Sequence, residues 1–190
     1  MKTFPFVGVD FGSKMAGTTA IAYYDGGTVV LEQSTKGKSA DNFLEELLQK
    51  LNIEGVFIDA PLSLPHAYFE KGNDFFFRQC DKELKAMSPM FLGGLTARAM
   101  KLSQSLDFDF FEAYPGALAE ELGLKDFGYK KEKIHLPDCQ KIVTDTFDIE
   151  LHQLTNWHQF DALLAFCTGI RWSEKKCRII GNKSEGLIYV

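Results

Sequence analysis

The sequence has no CxxC pair, no long apolar run, no internal repeat and no Pro/Gly/Ser-rich linker. Each absence removes a class of protein. Cys80, Cys139, Cys167 and Cys177 are too scattered for a zinc ribbon or a disulfide framework, so free thiols in a reducing cytoplasm are expected. The run from Ala162 to Cys167 is far too short to cross a bilayer, so no membrane partner is expected. The N-terminal stretch, with one lysine, Pro5 and Asp10, does not read as a signal peptide. Positive charge is also short: 21 Lys+Arg against 26 Asp+Glu leave a formal charge of −5. That argues against coating nucleic acid through a broad basic surface. It leaves room for an enzyme whose carboxylates are neutralised locally by metal ions.

What is present suits one globular domain over residues 1–190, with 45% hydrophobic and 25% charged residues. Residues 4–11, 18–24 and 28–32 read as strands. Asp25-Gly26-Gly27 is a hairpin turn between the second and third, since glycine supplies the positive φ it needs. Residues 39–51 read as a helix with Ser39 or Asp41 as cap and an apolar stripe of Phe43, Leu44, Leu47, Leu48 and Leu51. Strands follow at 55–59 and 108–113, separated by a helical insertion at about 65–106 with helices near 74–87 and 95–106. Further helices are expected at 117–122, 137–147 and 157–171, and 186–190 is a candidate last strand. The short turns make the first three strands antiparallel, and the helical crossovers make the later ones parallel to the first. The predicted architecture is α/β: a five-stranded mixed sheet in the order 3-2-1-4-5 with helices on both faces.

Acidic residues interrupt the apolar segments at telling places. Asp10 ends Phe6-Val7-Gly8-Val9, Asp59 ends Val56-Phe57-Ile58, and Glu112 follows Phe110-Phe111. In the predicted sheet these three acids share the carboxyl edge of neighbouring parallel strands, where open α/β sheets bind ligands. Asp161 lies in an apolar helix, where an ionised carboxylate is costly unless it meets a cation or strong donors. A divalent metal would relieve that cost and the mutual repulsion of the four acids. Taken singly, each acid also reads as a turn former or cap, and Asp161 as a partner of His158 or Arg171.

Several segments resemble a family of uncharacterised bacterial and archaeal proteins regarded as nucleases with a ribonuclease H-like fold. They are Val7-Gly8-Val9-Asp10-Phe11-Gly12, Phe57-Ile58-Asp59-Ala60-Pro61-Leu62-Ser63-Leu64-Pro65, Arg78-Gln79-Cys80-Asp81, Gly94-Leu95-Thr96-Ala97-Arg98, Phe111-Glu112-Ala113-Tyr114-Pro115 and Glu185-Gly186-Leu187-Ile188. The likeness runs from about residue 6 to the C-terminus. It implies the fold of ribonuclease H, Holliday-junction resolvases and retroviral integrases. It also implies two Mg2+ or Mn2+ ions held by Asp10, Asp59, Glu112 and Asp161; because the central strand lies between the other ligands, Asp10 is expected to bridge them.

Phosphodiester hydrolysis fits such a site, because two ions about 3.5–4 Å apart hold the attacking and leaving oxygens. Hard divalent ions prefer oxygen ligands, hence Asp and Glu rather than His and Cys. The expected substrate is nucleic acid, DNA or RNA, with Lys14, Arg78, Arg98, Lys130 and Lys131 on its phosphates. Phe75-Phe76-Phe77 is expected to pack as core or lid, or to stack on bases. Two other functions share this frame. One is a phosphotransferase or ATPase of the actin-like superfold, for which Asp10-Phe11-Gly12-Ser13 resembles a phosphate loop. The other is a non-catalytic nucleic-acid-binding module.

Overall fold

The structure, a computed structural model, describes residues 3–190. Strand β1 (Phe6–Asp10) is followed by β2 (Ala20–Asp25) and β3 (Thr28–Gln33). Asp25 pairs with Thr28 across a two-residue turn in which Gly26 and Gly27 have φ of 57° and 99°. Positive φ at both positions is what a hairpin matching the right-handed twist of its strands requires. Helix α1 (Ala40–Leu48) starts where the Ser39 side chain accepts a hydrogen bond from the Asn42 amide. Strand β4 (Gly55–Asp59) leads into a 3-10 turn at His66–Phe69 and three helices: α2 (Gln79–Leu84), α3 (Pro89–Leu92) and α4 (Gly94–Ser105). Then come β5 (Asp109–Ala113), α5 (Pro115–Glu121), α6 (Leu136–Phe147), α7 (Trp157–Ser173), β6 (Ile179–Asn182) and β7 (Gly186–Tyr189).

The sheet is mixed and has seven strands, not five, in the order β3-β2-β1-β4-β5-β7-β6. The expected 3-2-1-4-5 arrangement is its larger part. The hairpin β6–β7 extends it, with β7 parallel to β5 and antiparallel to β6. Strand β6 escaped the sequence reading because it is four residues long, contains Gly181 and exposes Ile179. Only its pairing with β7 makes it a strand. The helix expected over 74–87 shrinks to α2. Asp74 Oδ1 accepts from the amides of Phe76 and Phe77 and so holds a turn, and Lys85 ends α2 in left-handed backbone. Among the described residues no helix is long and apolar enough to cross a membrane. All four cysteines are free.

Alternation along the central strands builds two cores. Val7, Val9, Val56 and Ile58 pack with Leu44 and Leu48 of α1 and Leu102 of α4. Phe6 and Phe57 face the other way, into the core formed with α5, α6 and α7. Helix α7 is buried from Phe160 to Ile170, which explains why its sequence is apolar all round. It lies directly on β1, where Gly8 gives it room: a Cβ there would sit 2.1 Å from the Phe166 amide nitrogen and 2.3 Å from the Ala162 carbonyl oxygen. Gly169 plays the same part against the ring of Phe6, 2.5 Å from where its Cβ would be.

Gly8→Ala should therefore push α7 off the sheet. The expected loss of stability is about 3 kcal/mol or more, because the opposing atoms are backbone and cannot step aside. Denaturant unfolding reads it directly, and a loss below 1 kcal/mol would show that the helix–strand approach is looser than described.

Candidate metal centre

Strands β1 and β4 run parallel in a register that sets Asp10 beside Asp59. Paired residues of neighbouring strands point to the same face, and side chains alternate along each strand. Asp10 and Asp59 therefore share the face of Phe6 and Phe57, which is the face α7 covers. Asp161, early in α7, comes down on the same spot. One carboxylate oxygen from each of Asp10, Asp59 and Asp161 lies within 4.8 Å of the others. Asp161 is buried, and the other two are partly covered.

Other side chains hold two of these acids. His158 Nδ1 is 2.8 Å from Asp10 Oδ2. The Tyr129 hydroxyl donates to Asp161 Oδ1 at 2.6 Å, and Lys130 Nζ lies 2.7 Å from Asp161 Oδ2. Tyr129 is itself wedged edge-on against Trp157, whose Nε1 donates to the Lys131 carbonyl. The loop before α6 is thus tied to the start of α7. No donor among the described residues hydrogen-bonds the Asp59 carboxylate.

Crowding shows in the proton affinities. Burial, then the charges of Asp161 and Asp10, push the Asp59 carboxyl well above its ordinary value. Burial pushes Asp161 up to about 6, against the pull of Lys130. For Lys130 burial works downward, but the charge and hydrogen bond of Asp161 and the charges of Asp59 and Asp10 together outweigh it, and the ammonium is held above its usual range. The hydrogen bond to Asp10 raises His158. Three carboxylates with one fixed cation form a site in deficit of positive charge. Its hard oxygen donors suit Mg2+ or Mn2+.

The structure does not bring Glu112 into this group. Glu112 pairs with Ile58, one position short of Asp59, so its side chain emerges on the opposite face of the sheet. There Arg78 takes it in a two-pronged grip, Nη1 to Oε2 at 2.7 Å and Nη2 to Oε1 at 2.6 Å. The same guanidinium grips Asp81 through Nε and Nη2, and the Leu62 amide donates to Glu112 Oε2. Glu112 anchors the insertion and the loop after β4 instead of completing a cluster of four.

The expected phosphate contacts divide in the same way. Arg78 is fully buried and committed to two carboxylates, so it is no surface cation. Arg98 binds Asp41 and the Gly12 carbonyl and lies over the Phe11 ring, fastening the turn after β1. Lys14 is exposed, 3.9 Å from Asp41, and Lys131 is exposed near the site. Lys130 alone of the five touches an acid of the cluster. The Gly12 amide is also taken, by Thr19 Oγ1 at 3.0 Å, so the turn after Asp10 offers neither its amide nor its carbonyl at Gly12 to a phosphate. Phe75 and Phe76 are about half exposed, so they are not core. Arg171 and Arg178 both pair with Glu121.

Sequence reasoning missed Tyr129, which lies between the helices expected at 117–122 and 137–147. It took His158 for a companion of Asp161, whereas the ring reaches back to Asp10. In comparisons with known proteins, the chain matches no family model and no curated sequence.

Asp161 carries a pH prediction. Its folded value, about 6, exceeds the ordinary 3.8, so the folded protein binds its proton first and ionisation costs stability. In chelator, wild type should lose about 2–3 kcal/mol relative to Asp161→Asn as the pH rises from about 4 to about 7. A flat difference between the two unfolding curves would mean that Lys130 and Tyr129 fully compensate the buried charge. Lys130→Met should destabilise the metal-free protein by on the order of 1 kcal/mol, kept small because half of the lysine side chain is exposed.

Proposed function

We propose that the protein is a divalent-metal-dependent nuclease with a ribonuclease H-like fold, hydrolysing nucleic-acid phosphodiesters at Asp10, Asp59 and Asp161. The observation that carries this reading is the convergence of three carboxylates from two neighbouring parallel strands and one helix, at the carboxyl edge of the sheet. The 3-2-1-4-5 part of the sheet and the sequence resemblance support the same assignment. Asp10, Asp59 and Asp161, with Glu112 occupied elsewhere, would hold the Mg2+ or Mn2+ ions through their carboxylate oxygens.

Bound metal would supply Lewis acidity, polarising a phosphoryl oxygen and lowering the proton affinity of the attacking water. The chain's own groups prepare that site. His158 orients Asp10 through its Nδ1 contact. Tyr129 and Lys130 hold Asp161, and the half-exposed Lys130 ammonium stands where a phosphate would approach. The tie between Trp157 and the Lys131 carbonyl keeps these donors in place over the acids.

Asp10→Asn keeps the size of the side chain and removes a charge central to the cluster. Two outcomes are expected. Millimolar Mn2+ should raise the melting temperature of wild type but not of the variant. Cleavage, tested on DNA, RNA, hybrid and branched substrates, should fall on the order of a thousandfold or more. Cleavage should also weaken steeply with salt, since a net acidic protein must bind phosphates through a few local cations. A wild type that ignores Mn2+ and cuts none of these substrates would overturn the nuclease reading and leave a binding module.

A further inference from the structure

A cavity of about 260 Å3 opens beside the carboxylates. Asp10, Asp59 and an edge of Glu112 line it, together with Pro61, Met87, Leu95 and Tyr114. Its walls join the carboxyl ends of β1, β4 and β5, the loop after β4, the insertion, Ile188 of β7 and Tyr114 at the start of the segment after β5. Apolar walls beside acidic side chains are an odd combination for a site that holds metal ions alone. They suit a ligand with one anionic end and one flat, uncharged end. A nucleotide unit in a chain is such a ligand, its phosphate at the acids and its base in the apolar slot.

We infer that this cavity receives one unpaired nucleobase of the nucleotide whose phosphate lies at Asp10, Asp59 and Asp161, so that the substrate is single-stranded or unstacked where it is cut. The inference rests on the nuclease reading and narrows its substrate class. Size supports it, since the space lies below the roughly 300–1,000 Å3 of sites that enclose whole drug-sized ligands. A base inside a duplex must leave its stack to enter, which disfavours paired substrates.

Polarity supports it too. Tyr114 lines this cavity, and its hydroxyl makes no hydrogen bond with any described residue, which leaves it able to donate to or accept from a base edge. The apolar surface also continues outward. Met87 and Phe91 are 61% and 66% exposed, and the ring of Phe76 lies 5.7 Å from that of Phe91. Exposed rings at such spacing offer stacking to bases flanking the bound one.

The test uses 2-aminopurine, a fluorescent base that reports its own stacking. The full-length protein with Mg2+ is titrated into a short oligonucleotide carrying it, once as a single strand and once in a perfect duplex. Cleavage of both is followed in parallel. The single strand should change its fluorescence on binding and be bound and cut at least tenfold better than the duplex. Leu95→Trp, which fills the slot, should remove the fluorescence change and slow single-strand cleavage at least tenfold. Its Mn2+-induced thermal shift should stay at the wild-type value. Tyr114→Phe, which keeps the fold, should weaken single-strand binding severalfold.

Equal handling of single strand and duplex would overturn the inference and leave the nuclease reading standing. So would a folded, metal-binding Leu95→Trp that behaves as wild type. If Mn2+ binds but nothing is cut, 2-aminopurine riboside monophosphate decides: no fluorescence change overturns the inference. Absence of both metal binding and cleavage overturns the nuclease reading and the inference with it.

Discussion

Helix α7 can deliver a carboxylate to the end of β1 because Gly8 places no side chain between them. The contact is backbone against backbone, and it sets the depth at which Asp161 arrives beside Asp10 and Asp59. Every other feature of the site adjusts to that approach. The helix must be apolar on all sides, because it is covered by the sheet on one side and by α5 and α6 on others. Asp161 is then the exception in a buried helix, and it is tolerated through Tyr129 and Lys130. Packing places the acids together at an electrostatic cost, and the fold offsets part of that cost with one lysine, one tyrosine and one histidine.

A second buried charge system has the opposite character. Arg78 sits between Asp81 and Glu112 with its donors directed at carboxylate oxygens, Ser63 taking a further contact. Two carboxylates around one guanidinium make a closed, hydrogen-bonded group. A closed group of this kind holds position well and has little capacity for a ligand. It ties α2 to β5 and, through the Leu62 amide, to the loop that follows Asp59. Glu185 adds to the same joint by accepting from the amides of His66 and Gln79. The insertion that walls the apolar cavity is therefore anchored by ion pairs at its root, while Phe75, Phe76 and Phe91 stand exposed farther along it.

The two systems lie on opposite faces of the same sheet edge and differ by a single step of register. Asp10 stands opposite Asp59, whereas Glu112 stands opposite Ile58. In a strand that one step turns a side chain to the other face. The acids that would serve a metal and the acid that serves the architecture are separated by the alternation of the pleat.

Much of the frame could be read from the residues alone. The hairpin at Gly26-Gly27, the strand ending at Asp59, the cap at Ser39 and the apolar helix around Asp161 follow from local chemistry that acts within a few residues. The order of the first five strands follows from short turns and helical crossovers, and so does the meeting of Asp10 with Asp59. Pairing across long separations decided the rest. Strand β6 exists because β7 lies beside it, and Phe75 and Phe76 stay exposed because Asp74 turns the chain before α2 can begin. Arg78 looked like a free cation until Glu112 and Asp81 closed around it. Tyr129, thirty-two residues from Asp161, has no local signal for its role. Local preferences act along the chain and are visible in it; which buried charge meets which partner depends on register and packing, and these arise only when distant segments are brought together.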